Sequence, residues 1–162
     1  MKPKAYLETT IPSYLTARPS RDLVMAANQE VTHEWWTECR SKYDLYVSQL
    51  VFEEASAGDS DAAEKRIEVI RPISRLDITA QATMLAKELV VGIPLPAKAR
   101  ADALHIAVAA VNGMDFLLTW NCTHIANAAL RPRIEEICRV VGCEPPVICT
   151  PQELLDRGET NA

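Results

Sequence analysis

The chain has 162 residues, 48% of them hydrophobic, which is enough for one domain with a sizeable core and excludes an intrinsically disordered chain. The formal net charge of −5 argues against broad nucleic-acid binding through a basic face, although a bound metal ion would offset a local cluster of acids. The sequence has no run of about 18 apolar residues and no apolar segment near its start, so we expect no membrane-spanning helix and no signal peptide.

Cysteine usage points to a reducing compartment. The cysteines are odd in number and lack C-x-x-C spacing, which is typical of reduced, mostly buried thiols and not of a disulfide framework or a zinc site. We therefore expect a cytoplasmic protein. The five positions are Cys39, Cys122, Cys138, Cys143 and Cys149.

The first predicted strand covers residues 4–7 and ends directly before Glu8. Thr9 and Thr10 follow, and Pro12 can open a helix in its first turn. Glu8 thus occupies the carboxyl end of an apolar strand, although a glutamate in such a place is more commonly a solvated charge.

A long helix follows, capped by Ser20 or Asp22. Its predicted inward stripe has helical spacing and consists of Val24, Ala27, Val31 and Trp35. Trp36 lies beside this stripe, and two interpretations stay open. It is either a core residue or, with Met25 and Thr32, part of an apolar surface for a partner.

Residues 44–48 are the second predicted strand, and a helix begins at once over QLVFEEAS. Glu53 and Glu54 are adjacent, so only one of them can face inward. Helical spacing places Glu54 with Leu50 and Val51. We therefore expect Glu54 to face the core and Glu53 to be a solvated charge.

Two further helices and a linker fill the middle of the chain. An amphipathic helix capped by Asp59 or Ser60 precedes a connector or minor strand at residues 72–73. Thr79 caps the next helix, and Pro96 suits the first position of the helix after it.

That next helix carries Asp102 on a largely apolar face, which should point at the core. The other members of the face are His105, Ile106, Ala109 and Ala110. The alternative interpretation is that Asp102 is an ordinary acid near a helix N-terminus, where the helix macrodipole stabilises its charge. Arg100, beside the start of the helix, is either a surface charge or a phosphate contact.

Residues 115–120 are nearly all apolar, as expected of a strand covered on both faces by helices. Asn121, Cys122, Thr123 and His124 follow directly, at the edge where open parallel sheets bind ligands. Taken alone, Asn121 or Thr123 is equally an N-cap.

A helix opened by Pro132, a strand at residues 147–150 and a final helical turn complete the predicted elements. Strands that alternate with helices imply a parallel sheet in a three-layer α/β/α sandwich. We expect one domain over residues 1–156 and a frayed tail over residues 157–162.

The strand-end or inward polar residues form a candidate site of Glu8, Glu54, Asp102 and Asn121. Three carboxylates in a mostly covered site repel one another, and a hard cation such as Mg²⁺ or Mn²⁺ relieves that repulsion. Asn121 adds a neutral oxygen. The chemistry that suits such a site is metal-assisted phosphodiester hydrolysis, and no Walker loop, H-E-x-x-H or G-x-S-x-G motif indicates another.

Four segments of the chain, taken in order, resemble those of a PIN domain, the nuclease fold of VapC-type toxins in toxin–antitoxin modules. The segments are YLETT, VSQLVFEE, ADALHIAVA and LLTWNCTHI. The resemblance implies a Mg²⁺- or Mn²⁺-dependent endoribonuclease that acts on RNA, is held by a cognate antitoxin and forms a homodimer. It implies that the metal-binding and catalytic residues are Glu8, Glu54, Asp102 and Asn121, with Thr9, His124 and Arg100 as possible auxiliary residues.

Two positions depart from the family pattern. Glu8 stands where an aspartate is usual, and Asn121 stands where an aspartate is frequent, which should weaken binding of a second metal ion. A non-catalytic PIN-like RNA-binding or regulatory module is therefore the alternative, although the three retained carboxylates favour an enzyme. A deoxyribonuclease is disfavoured because the chain is small and acidic and has no added domain.

Overall fold

The computed structural model describes residues 1–156, so the predicted tail at residues 157–162 lies outside the described residues. The strands are β1 (Lys4–Leu7), β2 (Asp44–Ser48), β3 (Ser74–Leu76), β4 (Phe116–Leu118) and β5 (Val147–Cys149). The helices are α1 (Thr10–Thr16), α2 (Leu23–Glu38), α3 (Gln49–Ala55), α4 (Ser60–Ile70), α5 (Ala80–Gly92), α6 (Arg100–Val111) and α7 (Arg131–Val140). Short 3₁₀ turns lie at Arg40–Lys42, Ala97–Ala99 and Pro151–Leu154.

The five strands form one sheet in the order β3-β2-β1-β4-β5, and every neighbouring pair is parallel. In this register Tyr6 of β1 lies opposite Tyr46 of β2 and Leu117 of β4. β2 and β3 are added in turn on one side of β1, and the chain then crosses back to place β4 and β5 on the other side of β1. The strand order therefore reverses between β1 and β4, and the crevice beyond their carboxyl ends is the expected ligand position of such a sheet.

Helices cover both faces of the sheet. Right-handed crossovers place α1 to α4 on one face and α5 to α7 on the other. The packing agrees, because α1 contacts α2 and α4, whereas α5 contacts α6 and α7. This confirms the predicted three-layer α/β/α sandwich.

The centre of the core consists of β1, β4 and α6. Ala5, Tyr6 and Leu7 are fully buried, as are Leu117 and Leu118. Seven residues of α6 are buried, so this helix is enclosed by protein on more than the one face that the sequence predicts. A polar side chain on α6 therefore needs a hydrogen-bond partner inside the protein.

Several local predictions are confirmed. The strands at residues 4–7 and 44–48 have the predicted bounds. Asp22, Asp59 and Thr79 each accept a backbone N–H at the start of a helix, as N-caps do. All five cysteines are free thiols, and four of them are buried. No helix within residues 1–156 combines the length and the apolar character needed to cross a lipid bilayer.

The predicted inward stripe of α2 is wrong at its start. Trp35 is fully buried, but Val24 is 71% exposed and Ala27 is exposed. The face that enters the core carries Gln29 and Thr32. Gln29 is buried because its amide bonds the backbone of the preceding loop at 2.9 and 3.1 Å, a role that a hydropathy pattern does not register.

The surface predicted from Met25, Thr32 and Trp36 is also wrong at one position, because Thr32 is fully buried. Trp36 is half-buried, and the Arg40 guanidinium lies 4.3 Å from the centre of its ring. Trp36 packs against the core, which agrees with the first of its two interpretations.

Several element boundaries differ from the prediction. β5 ends at Cys149 and not at residue 150, and the minor strand predicted at residues 72–73 is β3 at Ser74–Leu76. β4 is shorter than residues 115–120, because the Trp120 amide turns away from the sheet and donates to the Thr10 hydroxyl at 2.8 Å. α6 begins at Arg100 and not at Pro96, because Pro96 precedes a separate 3₁₀ turn.

Gly113 lies in the turn between α6 and β4, and its φ of +67° is in the left-handed region. A Cβ there meets nothing within 4 Å, so the cost of a side chain is conformational. We expect Gly113→Ala to lower the free energy of unfolding by about 1 kcal/mol in urea denaturation. Gly113→Asn should lose less, because asparagine enters this region more readily. Equal losses in the two variants would contradict this explanation.

Candidate metal centre

Glu8 directly follows β1, at the point where the strand order reverses. Its backbone N–H bonds the carbonyl oxygen of Leu118 at 3.0 Å, which ties it to the end of β4, and the residue is 5% exposed. Oε1 accepts hydrogen bonds of 2.7 Å from the hydroxyls of Thr10 and Thr119, and Oε2 accepts the Thr10 backbone N–H at 3.1 Å. Hydrogen bonds to an ionised group are strong, so these donors hold the Glu8 carboxylate in one place.

Glu54 lies on α3, in the second turn after β2. Its Oε1 accepts a hydrogen bond from the Thr9 hydroxyl at 2.5 Å and one from Nε2 of His105 at 2.6 Å. Burial raises the pKa of Glu54, but the hydrogen bond and charge of His105, together with the Thr9 hydroxyl, outweigh it and hold the pKa below its usual value. Glu53 is exposed, so the predicted orientations of the two glutamates are confirmed.

His105 is fully buried and connects Glu54 to the interior. An ionised carboxylate only accepts hydrogen bonds, so the shared hydrogen is on Nε2 of His105. Nδ1 lies 2.7 Å from the hydroxyl of Tyr6, which lies 2.8 Å from the hydroxyl of Ser48. Burial is the main cause that raises the pKa of Tyr6, so its phenol keeps the proton. A buried chain of hydrogen bonds therefore runs from Ser48 to Glu54.

Glu8, Glu54 and His105 can each offer one ligand atom, and these atoms all lie within 4.8 Å of one another. Within residues 1–156, no other group of three His, Cys, Asp or Glu residues meets this condition. Carboxylate oxygens are the ligands that Mg²⁺ and Mn²⁺ prefer. His105 donates its Nε2–H to Glu54, so in this arrangement it supports that carboxylate and the two glutamates are the ligands. Oε2 of Glu54 accepts no hydrogen bond from the described residues, so the donor set fits a divalent cation.

Asp102 and Asn121 lie beside this group but not in it. Asp102 is one helical turn before His105, and its Oδ2 lies 3.0 Å from Nδ1 of His124. Asn121 accepts the backbone N–H of His124 at 3.0 Å, and its own backbone N–H donates to the Thr119 hydroxyl at 2.9 Å. The structure therefore brings Glu8 and Glu54 together, and it joins Asn121 to them through the Thr119 hydroxyl.

The three possible auxiliary residues, Thr9, His124 and Arg100, differ in what they contact. Thr9 bonds Glu54, a member of the group, whereas His124 bonds Asp102, which is outside it. Arg100 is exposed and lines an apolar groove between α5 and α6. It forms no ion pair with any acid in residues 1–156.

Sequence reasoning placed His105 on the inner face of α6 but gave it no role, and it did not single out Thr119. The available signal for His105 was its position one turn after Asp102 on an otherwise apolar face. The role of Thr119 had no sequence signal, because its hydroxyl reaches a residue 111 positions away.

Comparison with known proteins supports the fold through structure and not through sequence. No protein-family model and no curated protein sequence matches the chain. The structure is similar to VapBC2 from Rickettsia felis bound to a DNA fragment from their promoter, with 13% identity, a TM-score of 0.58, and coverage of 90% of this chain and 97% of that chain. It is also similar to VapC20 from Mycobacterium tuberculosis, a Sarcin-Ricin loop cleaving toxin, with 18% identity, a TM-score of 0.58, and coverage of 75% and 92%. The chain thus has the PIN-like fold of VapC structures, as the resemblance implied.

The Thr119 hydroxyl donates a hydrogen bond to Glu8 and accepts one from the backbone N–H of Asn121, and its removal is a test of the site. Thr119→Val keeps the shape and removes the hydroxyl, so we expect Mn²⁺ affinity to fall about tenfold in calorimetry, as is usual when a group that orients a metal ligand is lost. Thr123→Val is the matched control, because Thr123 is exposed on the neighbouring turn. Unchanged affinity in a folded Thr119→Val protein would contradict the assignment of Glu8.

Proposed function

We propose that this chain is a divalent-metal-dependent endoribonuclease and the toxin of a toxin–antitoxin pair. The observation that carries the proposal is the approach of Glu8, Glu54 and His105 to within 4.8 Å at the reversal point of a sheet with the VapC fold. VapC20, which has a similar fold, is a Sarcin-Ricin loop cleaving toxin, and this supports RNA as the substrate.

Glu8 and Glu54 are the residues that would hold Mg²⁺ or Mn²⁺. The bound ion would supply positive charge that activates water and stabilises the charge of an in-line phosphodiester displacement. The threonine hydroxyls and His105 fix one oxygen of each carboxylate. Because those oxygens are already held, the carboxylates need little rearrangement to act as ligands.

We propose that Asp102 and Asn121 complete the site. Asp102 lies one turn before His105 on α6, and His124 orients its carboxylate through the 3.0 Å contact. Asn121 accepts the N–H of His124, which holds His124 beside Asp102. We propose Asp102 as the third acid and Asn121 as the neutral member, which orders the turn.

The electrostatic balance supports dependence on a metal. The Glu8 and Glu54 carboxylates, with Asp102 as the proposed third, repel an RNA phosphate, and the hydrogen bonds of the described residues bring no arginine or lysine to them. A divalent cation reverses the sign of the local charge. The proposed reaction should therefore stop when EDTA removes the ion.

Adjacent glutamates on α3 provide a matched test of cleavage. Glu54→Gln removes a charge from the site, whereas Glu53→Gln removes the same charge from an exposed position. We expect Glu54→Gln to lower the rate of metal-dependent RNA cleavage by orders of magnitude and Glu53→Gln to leave it near the wild-type value. Gel analysis of a labelled RNA with Mn²⁺, and with EDTA, gives the measurement.

Asp102→Asn separates the enzyme from a non-catalytic RNA-binding module. We expect the variant to keep its fold by circular dichroism, because asparagine still accepts a hydrogen bond from His124, and to lose cleavage by orders of magnitude. If the wild-type chain binds RNA but does not cleave it with Mg²⁺ or Mn²⁺, the non-catalytic alternative is correct.

We propose a cognate antitoxin and a second copy of this chain as protein partners. The R. felis structure, whose fold is similar, is of VapBC2, and this supports the first partner. Light scattering of the purified chain gives its oligomeric mass. Addition of the protein encoded by the neighbouring gene should abolish RNA cleavage in equimolar amount, and cleavage that persists would contradict the toxin–antitoxin assignment.

A further inference from the structure

Two aromatic rings lie next to the metal centre and have no part in it. Tyr14 of α1 and Trp120, which follows β4, are stacked with ring centroids 5.9 Å apart and planes inclined by 10°. At that distance nearly parallel rings overlap only at their edges, so each leaves part of its face free of the other. Both residues are half-buried, and this pair, the Tyr14–Trp120 stack, therefore borders solvent.

Trp120 is fixed by two hydrogen bonds. Its backbone N–H donates to the Thr10 hydroxyl at 2.8 Å, and that hydroxyl donates to Oε1 of Glu8 at 2.7 Å. Its indole N–H donates at 2.7 Å to the hydroxyl of Thr32, which donates in turn to the carbonyl oxygen of Asn28. The ring is thus already ordered beside the metal carboxylate, and a ligand that stacks on it loses little affinity to the ordering of the side chain.

Two arginines, Arg18 and Arg21, lie in the loop that follows α1. Both are exposed and form no ion pair with any of residues 1–156, but Arg18 lines a cavity together with Asp59, Asp61, Glu64 and Glu68, so we base nothing on their charge. The observation that bears on nucleic acid is the stack itself, because aromatic rings with a free face bind single-stranded bases by stacking.

We propose that the Tyr14–Trp120 stack binds one unpaired base of the RNA substrate beside the phosphate held at the metal centre. The proposal rests on the proposed function. Single-stranded RNA is recognised largely through splayed bases that stack on aromatic side chains. Stacking needs no neutralised phosphate, so it suits a chain with a net charge of −5.

Two substitutions at Tyr14 test the proposal in the Asp102→Asn background, in which the RNA stays intact. Tyr14→Leu keeps an apolar side chain and removes the ring, whereas Tyr14→Phe keeps the ring. We expect Tyr14→Leu to bind a short fluorescein-labelled single-stranded RNA about tenfold more weakly than Tyr14→Phe, measured by fluorescence anisotropy. Equal affinity of the two variants would overturn the proposal.

An RNA that lacks a single base identifies the contact. An abasic nucleotide is placed at each position of the probe in turn, and with Tyr14→Phe we expect one position to weaken binding about tenfold. With Tyr14→Leu, the abasic nucleotide at that position should cause no further loss. Independent, additive losses would mean that the base and Tyr14 do not contact each other, which would overturn the proposal.

The same Tyr14 variants and the wild type distinguish a failure of the stacking site from a failure of the nuclease proposal. Calorimetry with Mn²⁺ should give the same affinity for Tyr14→Leu as for the wild type, because the threonines that hold Glu8 are unchanged. If the wild type does not cleave RNA but the abasic test succeeds, the nuclease proposal fails and the stacking site stands. If the wild type cleaves RNA and Tyr14→Leu binds as Tyr14→Phe does, the stacking site fails alone.

Discussion

The approach of two carboxylates, Glu8 and Glu54, is the constraint on which the site depends. Two carboxylate oxygens within 4.8 Å of each other repel when both groups are ionised, and burial of Glu8 removes the water that would screen this repulsion. The protein offsets this with donors: Thr10 and Thr119 bond Glu8, and Thr9 and His105 bond Glu54. Each donor belongs to an element that is tied to the core, so the repulsion is countered by the fold itself.

The sheet explains why these donors converge. β1 lies at the centre with β2 on one side and β4 on the other, so the segments after all three strands meet at one edge. The segment after β1 supplies Glu8 and the threonines at positions 9 and 10, α3 after β2 supplies Glu54, and the end of β4 supplies Thr119. α6, which packs against β4, adds His105. No two of these regions are close in the sequence, and parallel pairing alone brings them together.

Sequence reasoning predicted the sandwich, two strands with their bounds and the inward turn of Glu54, because periodicity and capping depend on neighbours a few residues away. It was wrong about Val24 and Ala27, because buried polar residues fill the inner face of α2. It gave no role to His105 or Thr119, because their roles depend on partners more than 50 positions away. The prediction that Glu8, Glu54, Asp102 and Asn121 bind metal stays a prediction.

The Thr10 hydroxyl is shared between two regions, since it donates to Glu8 and accepts from the Trp120 backbone. A ligand that shifts Trp120 changes how well this hydroxyl supports Glu8, and a cation that draws Glu8 toward itself acts on Trp120 in return. The two events are therefore thermodynamically coupled, and the coupling must be equal in both directions. If an RNA base and a divalent cation bind as proposed, occupancy of one region adjusts the affinity of the other, and this single hydroxyl makes the two ligands cooperative.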